Sequence, residues 1–278
     1  MTYNASNIKE YNKNKVLIAT HRGAAGGNIP CNTIAAFEAA LRQGSDIIET
    51  DVIKSADGKF FIFHNGTEKT LLSMDIDIRE LPAEEIKKLR LVNVDNNVTE
   101  YGIDTLDEAL DYLKGRCLIN LDRCWDFVPD VVEAVKKHNM TEQIILKSPP
   151  DIKVFKALES LDEKVAYMPI IKNNDDCSEI LEKMNINYIG AELVFFTEDA
   201  PIIQEEYLER YKRNNKVLWG NGILYSYKVP LSAGHSDDIS ITGNPDEGWG
   251  WLVDKGFDII QTDWPGMLRD YLNKINRR

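Results

Sequence analysis

Two acidic residues with strand spacing are the first feature of the chain that can do chemistry. Glu49 and Asp51 lie in the run Ile-Ile-Glu-Thr-Asp-Val-Ile, and residues i and i+2 of a β-strand project from the same face. Burying two like charges together is costly unless a cation binds them. Carboxylate oxygens suit Mg²⁺ or Ca²⁺. The pattern predicts a site for one divalent cation; the alternative is a surface strand with both charges in solvent.

Two histidines and an arginine lie close to this pair in the sequence. His21 and His64 each follow an apolar run, and histidine exchanges protons near neutral pH, so the two can serve as general acid and general base. If both were instead ligands beside the carboxylates, the set would favour zinc or iron. Arg22 suits an anionic phosphate oxygen, although a salt bridge is an equally good reading.

The elements that must position these residues alternate between strand-like and helix-like along nearly the whole chain. Eight strand-like runs of the parallel type are separated by helical segments, which predicts an α/β protein and, at this length, a TIM (β/α)8 barrel. An open, doubly wound sheet is the fallback. The predicted strands cover 16–19, 47–53, 117–121, 144–146, 165–170, 188–193, 217–219 and 257–261. The histidines and carboxylates then lie on or just past strands, where such proteins build active sites.

The remaining segments predict helices, one extra strand and an insertion. The run at 60–63 follows a turn at 56–59 and predicts a strand paired with 47–53. The polar stretch 65–104 breaks the alternation and predicts an insertion after the second strand, within a single domain spanning 1–278. A long loop is expected at 226–247. Predicted helices are 33–43 with Asn32 as N-cap, 82–89, 106–113, 128–138, 152–161, 178–184, 200–211, 248–255 and 265–275.

Composition restricts the classes of partner and compartment. The 278 residues carry a formal net charge of -12 with no offsetting basic cluster, which argues against nucleic-acid binding but not against a small anionic substrate. No apolar stretch approaches the roughly 20 residues of a membrane span, so no integral membrane association is expected. The polar segment 1–7 predicts a cytoplasmic protein, or a secreted or periplasmic one if a signal peptide was removed. Four cysteines without paired spacing predict reduced thiols.

Several of these residues also form an ordered pattern. It comprises His-Arg-Gly at 21–23, Pro-Cys-Asn-Thr at 30–33, Gly-Ser-Asp-Ile-Ile-Glu-Thr-Asp-Val at 44–52, Asp-Gly at 57–58 and Phe-His at 63–64. This set resembles the glycerophosphodiester phosphodiesterase family. Weaker matches continue at 120–122, 217–221 and 256–265. The resemblance implies a TIM barrel with an insertion, and a reaction that cleaves a glycerophosphodiester, a small-molecule substrate, to glycerol phosphate and an alcohol.

The resemblance also implies roles for individual residues. His21 and His64 match the catalytic pair, and Arg22 matches the phosphate contact beside it. Metal-ligand positions are matched by Glu49, Asp51 and Asp122, the last standing where the family usually has a glutamate. Trp219 matches an aromatic residue that lines the pocket.

Three departures from the family pattern bear on the phosphate site. Cys31 replaces a usual glutamate, Asn65 replaces a common aspartate, and Cys124 replaces a usual lysine on what is expected to be the same strand face as Asp122. We hypothesise that Lys147, after the run Ile-Ile-Leu, supplies the missing positive charge; otherwise it is an ordinary solvated loop lysine.

Two other functions are compatible with this sequence. A lyase or phospholipase D-like activity on lysophospholipids would use the same residues and would need an apolar approach, which the 226–247 loop with Trp249 and Trp251 could form if these tryptophans are not core. The departures from the pattern also allow a catalytically weak binding barrel.

Overall fold

The computed structural model describes residues 3–173, 175–226 and 228–278. Its strands are β1 (Leu17–His21), β2 (Ile47–Lys54), β3 (Phe60–Ile62), β4 (Leu118–Asp122), β5 (Ile144–Ser148), β6 (Ala166–Lys172), β7 (Gly190–Val194), β8 (Val217–Asn221), β9 (Leu224–Ser226), β10 (Val229–Pro230) and β11 (Ile259–Thr262). Eight of them pair in parallel in the order β1-β2-β4-β5-β6-β7-β8-β11, and β11 pairs back with β1. The sheet is therefore closed, which confirms the predicted TIM barrel.

The helices follow the strands in the order expected of a (β/α) barrel. They are α1 (Ile8–Tyr11), α2 (Ile34–Arg42), α3 (Glu68–Leu71), α4 (Ala83–Ile86), α5 (Leu106–Leu113), α6 (Val128–Lys137), α7 (Ile152–Ser160), α8 (Ser178–Leu181), α9 (Glu205–Arg213), α10 (Asp237–Thr242), α11 (Trp251–Lys255) and α12 (Pro265–Lys274). None of the described helices is both long and apolar enough to cross a membrane.

Three local predictions were wrong. The N-cap of α2 is Thr33, whose hydroxyl accepts a hydrogen bond from the Ala36 amide, and not Asn32. The helix expected at 200–211 is divided because Gln204 is extended, so a 3₁₀ turn at Pro201–Ile203 precedes α9. The expected 226–247 loop contains β10 and α10.

The barrel interior is layered, and only its upper layer is polar. Alternate strand residues point inward, and the lower layers are an apolar cluster. Its buried members are Ala5, Ile8, Leu17, Ala19, Ile47, Leu118, Ile145, Ala166, Met168, Ile189, Val217, Trp219 and Ile259. Ala5 and Ile8 belong to the N-terminal segment, which fills the interior together with the strand residues. Polar inward side chains are thus confined to the carboxyl ends of the strands.

A separate small core lies under the segment that follows β3. β3 pairs antiparallel with β2, as predicted. Residues from β2 and β3 pack with the following segment in a cluster of Ile53, Phe61, Phe63, Leu72, Ile78, Ala83, Ile86, Leu91 and Ile103. The limits of the insertion at 65–104, and the single-domain organisation over 1–278, stay predictions.

Candidate active site

The register of the parallel strands brings the predicted site residues together. His21 at the end of β1 pairs with Glu49 on β2, and Asp51 on β2 pairs with Asp122 at the end of β4. All four line one cavity of about 230 Å³ at the carboxyl ends of the strands, as do Arg22, His64 and Lys147. The predicted site residues therefore converge, with the exception of Trp219.

Three carboxylates form the base of the cavity. Glu49, Asp51 and Asp122 each place an oxygen within 4.8 Å of the others. Burial, and then the neighbouring Asp51, raise the pKa of Glu49 to about 8. Burial raises the pKa of Asp122 to about 6, although Lys147 opposes that rise. Burial and the proximity of the carboxylates to one another thus disfavour their charged forms, and an all-oxygen donor set of this kind fits a hard divalent cation.

The histidines do not join this group, which weakens the zinc or iron reading. Within the described parts of the chain, one group of three or more side chains brings its ligand atoms within 4.8 Å of one another, and all of its members are carboxylates. Soft or borderline metals favour nitrogen and sulfur ligands, whereas Mg²⁺ and Ca²⁺ favour oxygen. The carboxylate donors therefore favour Mg²⁺ or Ca²⁺ over zinc or iron.

Asp51 is held in place by an asparagine whose role the sequence did not indicate. Asn32 donates from Nδ2 to Asp51 Oδ2 over 2.8 Å, and its Oδ1 accepts the hydroxyl of Thr50, also at 2.8 Å. Asn32 adopts φ +53°, a left-handed conformation that asparagine tolerates better than most residues. These two bonds fix the side-chain amide and hence the direction of the carboxylate.

Arg22 links two of the acidic residues. Its backbone amide donates to Glu49 Oε2 over 3.0 Å, and its Nε lies 2.9 Å from Asp51 Oδ2. The N–H is not aligned with that oxygen as a hydrogen bond requires, so the contact is an ion pair that leaves the directional donors of the guanidinium free for another anion.

The two histidines have different surroundings. His21 Nδ1 lies 2.9 Å from Asp263 Oδ1. Burial lowers the pKa of His21, but this hydrogen bond and the Glu49 carboxylate outweigh burial and raise the pKa above its usual value. Burial lowers the pKa of His64, and Asp51 offsets only part of that effect. His64 Nδ1 has no hydrogen-bond partner within the described residues.

Lys147 is buried in the barrel interior. It lies in β5 with 2% of its surface exposed, so the reading as a solvated loop lysine was wrong. Its Nζ contacts Glu192 Oε2 at 2.5 Å and lies 4.1 Å from the ring centroid of Trp219. Burial acts to lower the pKa of Lys147, but Glu192 and Asp122 hold that pKa above its usual value. The ammonium therefore faces the cavity already paired.

Two expectations about side-chain direction differ from the structure. Trp219 does not line the cavity but lies fully buried in the apolar layer below, under Lys147. Cys124 does not share the inward face with Asp122, because β4 ends at Asp122 and Arg123 adopts φ +58°. The chain turns there, and Cys124 packs in the outer core between barrel and helices.

Sequence reasoning also missed cavity residues on other strands. Glu192 accepts a hydrogen bond of 2.8 Å from Asn221 as well as contacting Lys147. Gln261 and Arg123 also line the cavity. For Glu192 a signal existed, since an acidic residue between Ala191 and Leu193 in a buried strand is unusual.

An apolar wall closes one side of the cavity, but it is not formed by Trp249 and Trp251 as expected. Trp249 and Trp251 pack in the outer core. The apolar wall is formed instead by residues that follow or belong to β6 to β10. They are Ile170, Val194, Phe196, Ile223, Tyr225, Val229 and Leu231. Phe196 and Tyr225 are 43% and 71% exposed.

Fold and site together define a TIM barrel with a carboxylate cluster, two histidines and basic side chains at its catalytic face. Residues 21–218 match the model of the Glycerophosphoryl diester phosphodiesterase family, and the chain belongs to this family. Residues 167–272 also match a domain of unknown function.

The four cysteines are free thiols, as predicted.

Known proteins similar to the chain support this assignment. A glycerophosphodiester phosphodiesterase from Caldanaerobacter subterraneus subsp. tengcongensis is 30% identical over 142 residues, which are 48% of this chain and 58% of that protein. An uncharacterized Bacillus subtilis protein is 29% identical over 139 residues, 47% of this chain and 57% of that protein. The chain thus spans somewhat more than half the length of these curated relatives.

Solved structures share the fold over nearly the whole chain. A Glycerophosphoryl diester phosphodiesterase from Parabacteroides distasonis superposes with a TM-score of 0.74 at 18% identity, covering 99% of this chain and 94% of that one. An Oleispira antarctica phosphodiesterase in complex with the product sn-glycerol-3-phosphate gives 0.70 at 18% identity, covering 96% and 99%. At these identities the likeness concerns the fold.

Proposed function

We propose that this protein is a divalent-cation-dependent phosphodiesterase that hydrolyses glycerophosphodiesters to glycerol phosphate and an alcohol. The observation that carries the proposal is the convergence of three buried carboxylates, two histidines and an arginine in one cavity. Family membership and the product named for the Oleispira antarctica structure support it.

Glu49, Asp51 and Asp122 would hold one Mg²⁺ or Ca²⁺ ion. When bound, the cation supplies Lewis-acid stabilisation to a non-bridging phosphate oxygen. The carboxylates are suited to this role because burial, together with neighbouring carboxylates, disfavours their charged forms and raises the pKa values of Glu49 and Asp122, and a bound cation would offset that cost. Asn32 and Arg22 keep Asp51 oriented for that role.

The histidines would divide the proton transfers according to their surroundings. Environments that push two pKa values apart assign the acid and the base. His64, with its lowered pKa, is neutral near pH 7 and takes a proton from the attacking water. His21, with its raised pKa and its Nδ1 bonded to Asp263, holds a proton on Nε2 and gives it to the leaving alkoxide.

Arg22 and Lys147 would supply positive charge to the phosphate. Arg22 offers directional donors at the cavity surface, as required for a phosphate oxygen. Lys147 lies lower and is paired with Glu192, so we propose that it acts through its field and not as a direct ligand. Trp219 supports the lysine from below through a cation–π contact.

A second candidate function is a lyase or phospholipase D-like reaction on lysophospholipids, and the apolar wall favours it. A surface with exposed Phe196 and Tyr225 beside a polar centre can accept the acyl chain of a lysolipid. In that case the wall would contribute binding energy that glycerophosphocholine cannot use. A catalytically weak binding barrel would bind the same ligands without turnover.

A substrate panel separates these functions. Purified protein is incubated with glycerophosphocholine, glycerophosphoethanolamine and lysophosphatidylcholine, and glycerol phosphate, free choline and cyclic phosphate are quantified with and without chelator. Chelator-sensitive glycerol phosphate from the first two substrates supports the hydrolase. Free choline or a cyclic phosphate from the lysolipid as the main product supports the second candidate, and binding without any product supports the weak barrel.

A further inference from the structure

Arg123 lies beside the carboxylate cluster in an unusual backbone conformation. β4 ends at Asp122, and Arg123 follows with φ +58°, its amide donating to Asp122 Oδ1 over 2.8 Å. Left-handed backbone is unfavourable for an arginine and is retained only where the surroundings impose it. Here it turns the side chain into the cavity, which Arg123 lines.

The guanidinium of Arg123 is held by a neutral group. Its Nε donates to Asn65 Oδ1 over 3.1 Å, and its guanidinium carbon lies 5.7 Å from the ring centroid of Trp125. Asn65 follows His64 directly, so the hydrogen bond ties the loop after β3 to the end of β4. Both contacts orient the guanidinium without neutralising it.

The other interior cations of the cavity are paired with carboxylates. Arg22 lies 2.9 Å from Asp51, and Lys147 lies 2.5 Å from Glu192. In the parts of the chain that the structure describes, no carboxylate oxygen lies within 4.0 Å of an Arg123 nitrogen; its recorded polar partner is Asn65. Arg123 is therefore a fixed cation beside the cluster that has no carboxylate partner among the described residues.

We propose that Arg123, positioned by Asn65, binds the substrate phosphate. This inference rests on the proposed function. It gives Asn65 a role: an aspartate at position 65 would pair with Arg123 and cancel its charge, whereas the amide only orients it. A guanidinium also offers paired donors that match two phosphate oxygens.

The test compares binding of sn-glycerol 3-phosphate, by calorimetry in Mg²⁺, among wild-type protein and three variants. Arg123→Gln removes the charge, and Asn65→Asp keeps Arg123 but adds a neutralising carboxylate. Arg79→Gln, an arginine paired with Asp77 away from the cavity, is the matched control. We expect the first two to weaken binding about 10- to 100-fold, the usual range for a hydrogen bond to a charged group, and the control to bind as wild type.

A second readout distinguishes positioning by Asn65 from a structural role. Turnover of glycerophosphocholine should show a raised KM in both Arg123→Gln and Asn65→Asp, and the double variant Arg123→Gln/Asn65→Ala should be no worse than Arg123→Gln alone, because Asn65 then has no guanidinium to orient. A merely structural defect would make the double variant additive and would lower the melting temperature of Asn65→Asp.

The outcomes separate this inference from the proposed function. Wild-type affinity in Arg123→Gln, or in Asn65→Asp, overturns the inference and leaves the hydrolase proposal standing. Loss of glycerol phosphate binding in both variants, in a protein without turnover, supports Arg123 as the phosphate ligand and contradicts the hydrolase. A wild-type protein that binds neither glycerol phosphate nor inorganic phosphate contradicts both.

Discussion

The buried Lys147–Glu192 pair allows a quantitative test of how charge is arranged beneath the cavity. The side chains are 1% and 8% exposed, and their charged atoms are 2.5 Å apart. In Lys147→Met the methyl thioether fills much the same space, but among the described residues the Glu192 carboxylate keeps the amide of Asn221 as its sole hydrogen-bond partner. Asp122 lies close enough to act on the same ammonium, so the carboxylates would also repel one another more strongly.

Removing one partner of a buried ion pair commonly costs about 3–5 kcal/mol, whereas replacing both partners by neutral groups of similar volume is close to neutral. We therefore expect Lys147→Met to lower the free energy of unfolding by about 3–5 kcal/mol, and Lys147→Met/Glu192→Gln to recover most of that loss. The recovery identifies the unpaired carboxylate, and not lost packing, as the cause.

The assay is urea denaturation in chelator, because a bound cation could compensate for the missing ammonium. Lys172→Met is the matched control, since Lys172 also lines the cavity but is exposed, and it should change stability by less than about 0.5 kcal/mol. A loss below about 1 kcal/mol in Lys147→Met, or a double variant as unstable as the single one, would refute the reasoning.

Three further predictions concern histidines. His21→Ala and His64→Ala should each lower kcat for glycerophosphocholine by at least about 100-fold; turnover near wild type in either contradicts the two-histidine scheme. The pKa of His64 is lowered and that of His21 is raised. As pH increases, kcat/KM should therefore rise as His64 loses its proton and fall as His21 loses its proton. A flat profile contradicts this assignment. His138 contacts Asp107 and Asp111, which help to raise its pKa against burial. Because both aspartates are exposed, the stabilisation should be below about 1 kcal/mol. It is full below about pH 6.5 and is lost as pH rises through the pKa of His138 in the folded protein. Urea denaturation of wild type and His138→Gln should therefore differ at pH 5.5 and converge at pH 9, and an equal difference at both contradicts the prediction.

Strand alternation made the central part of the site predictable from sequence. Glu49 and Asp51 share a face because their spacing matches the strand period, and both histidines follow short apolar runs of strand length. The barrel fold follows from eight alternating units. The family resemblance added Asp122, and the strand register brings it beside Asp51.

The positions of Cys124, Trp219 and Lys147 in the site depend on features that the spacing of residues in the sequence does not encode. Cys124 was expected beside Asp122, but the strand ends at Asp122 and a left-handed Arg123 turns the chain before Cys124. The sequence does not predict such a conformation at an ordinary non-glycine residue. Trp219 faces inward as its strand requires, yet its layer is set by the stagger of the closed barrel. The ion pair of Lys147 with Glu192 joins strands that are not neighbours in the sheet, so no local sequence pattern predicts it.

Hydrolysis should depend on a divalent cation held by the carboxylate cluster of Glu49, Asp51 and Asp122. The direct measurement is release of glycerol phosphate from glycerophosphocholine by chelator-treated protein, with Mg²⁺ or Ca²⁺ added back, for wild type, Asp122→Asn and the exposed-carboxylate control Asp130→Asn. We predict that chelation abolishes release, that one of the two ions restores it in wild type and in the control, and that neither restores it in Asp122→Asn. Undiminished release in chelator, or full restoration in Asp122→Asn, would contradict the account.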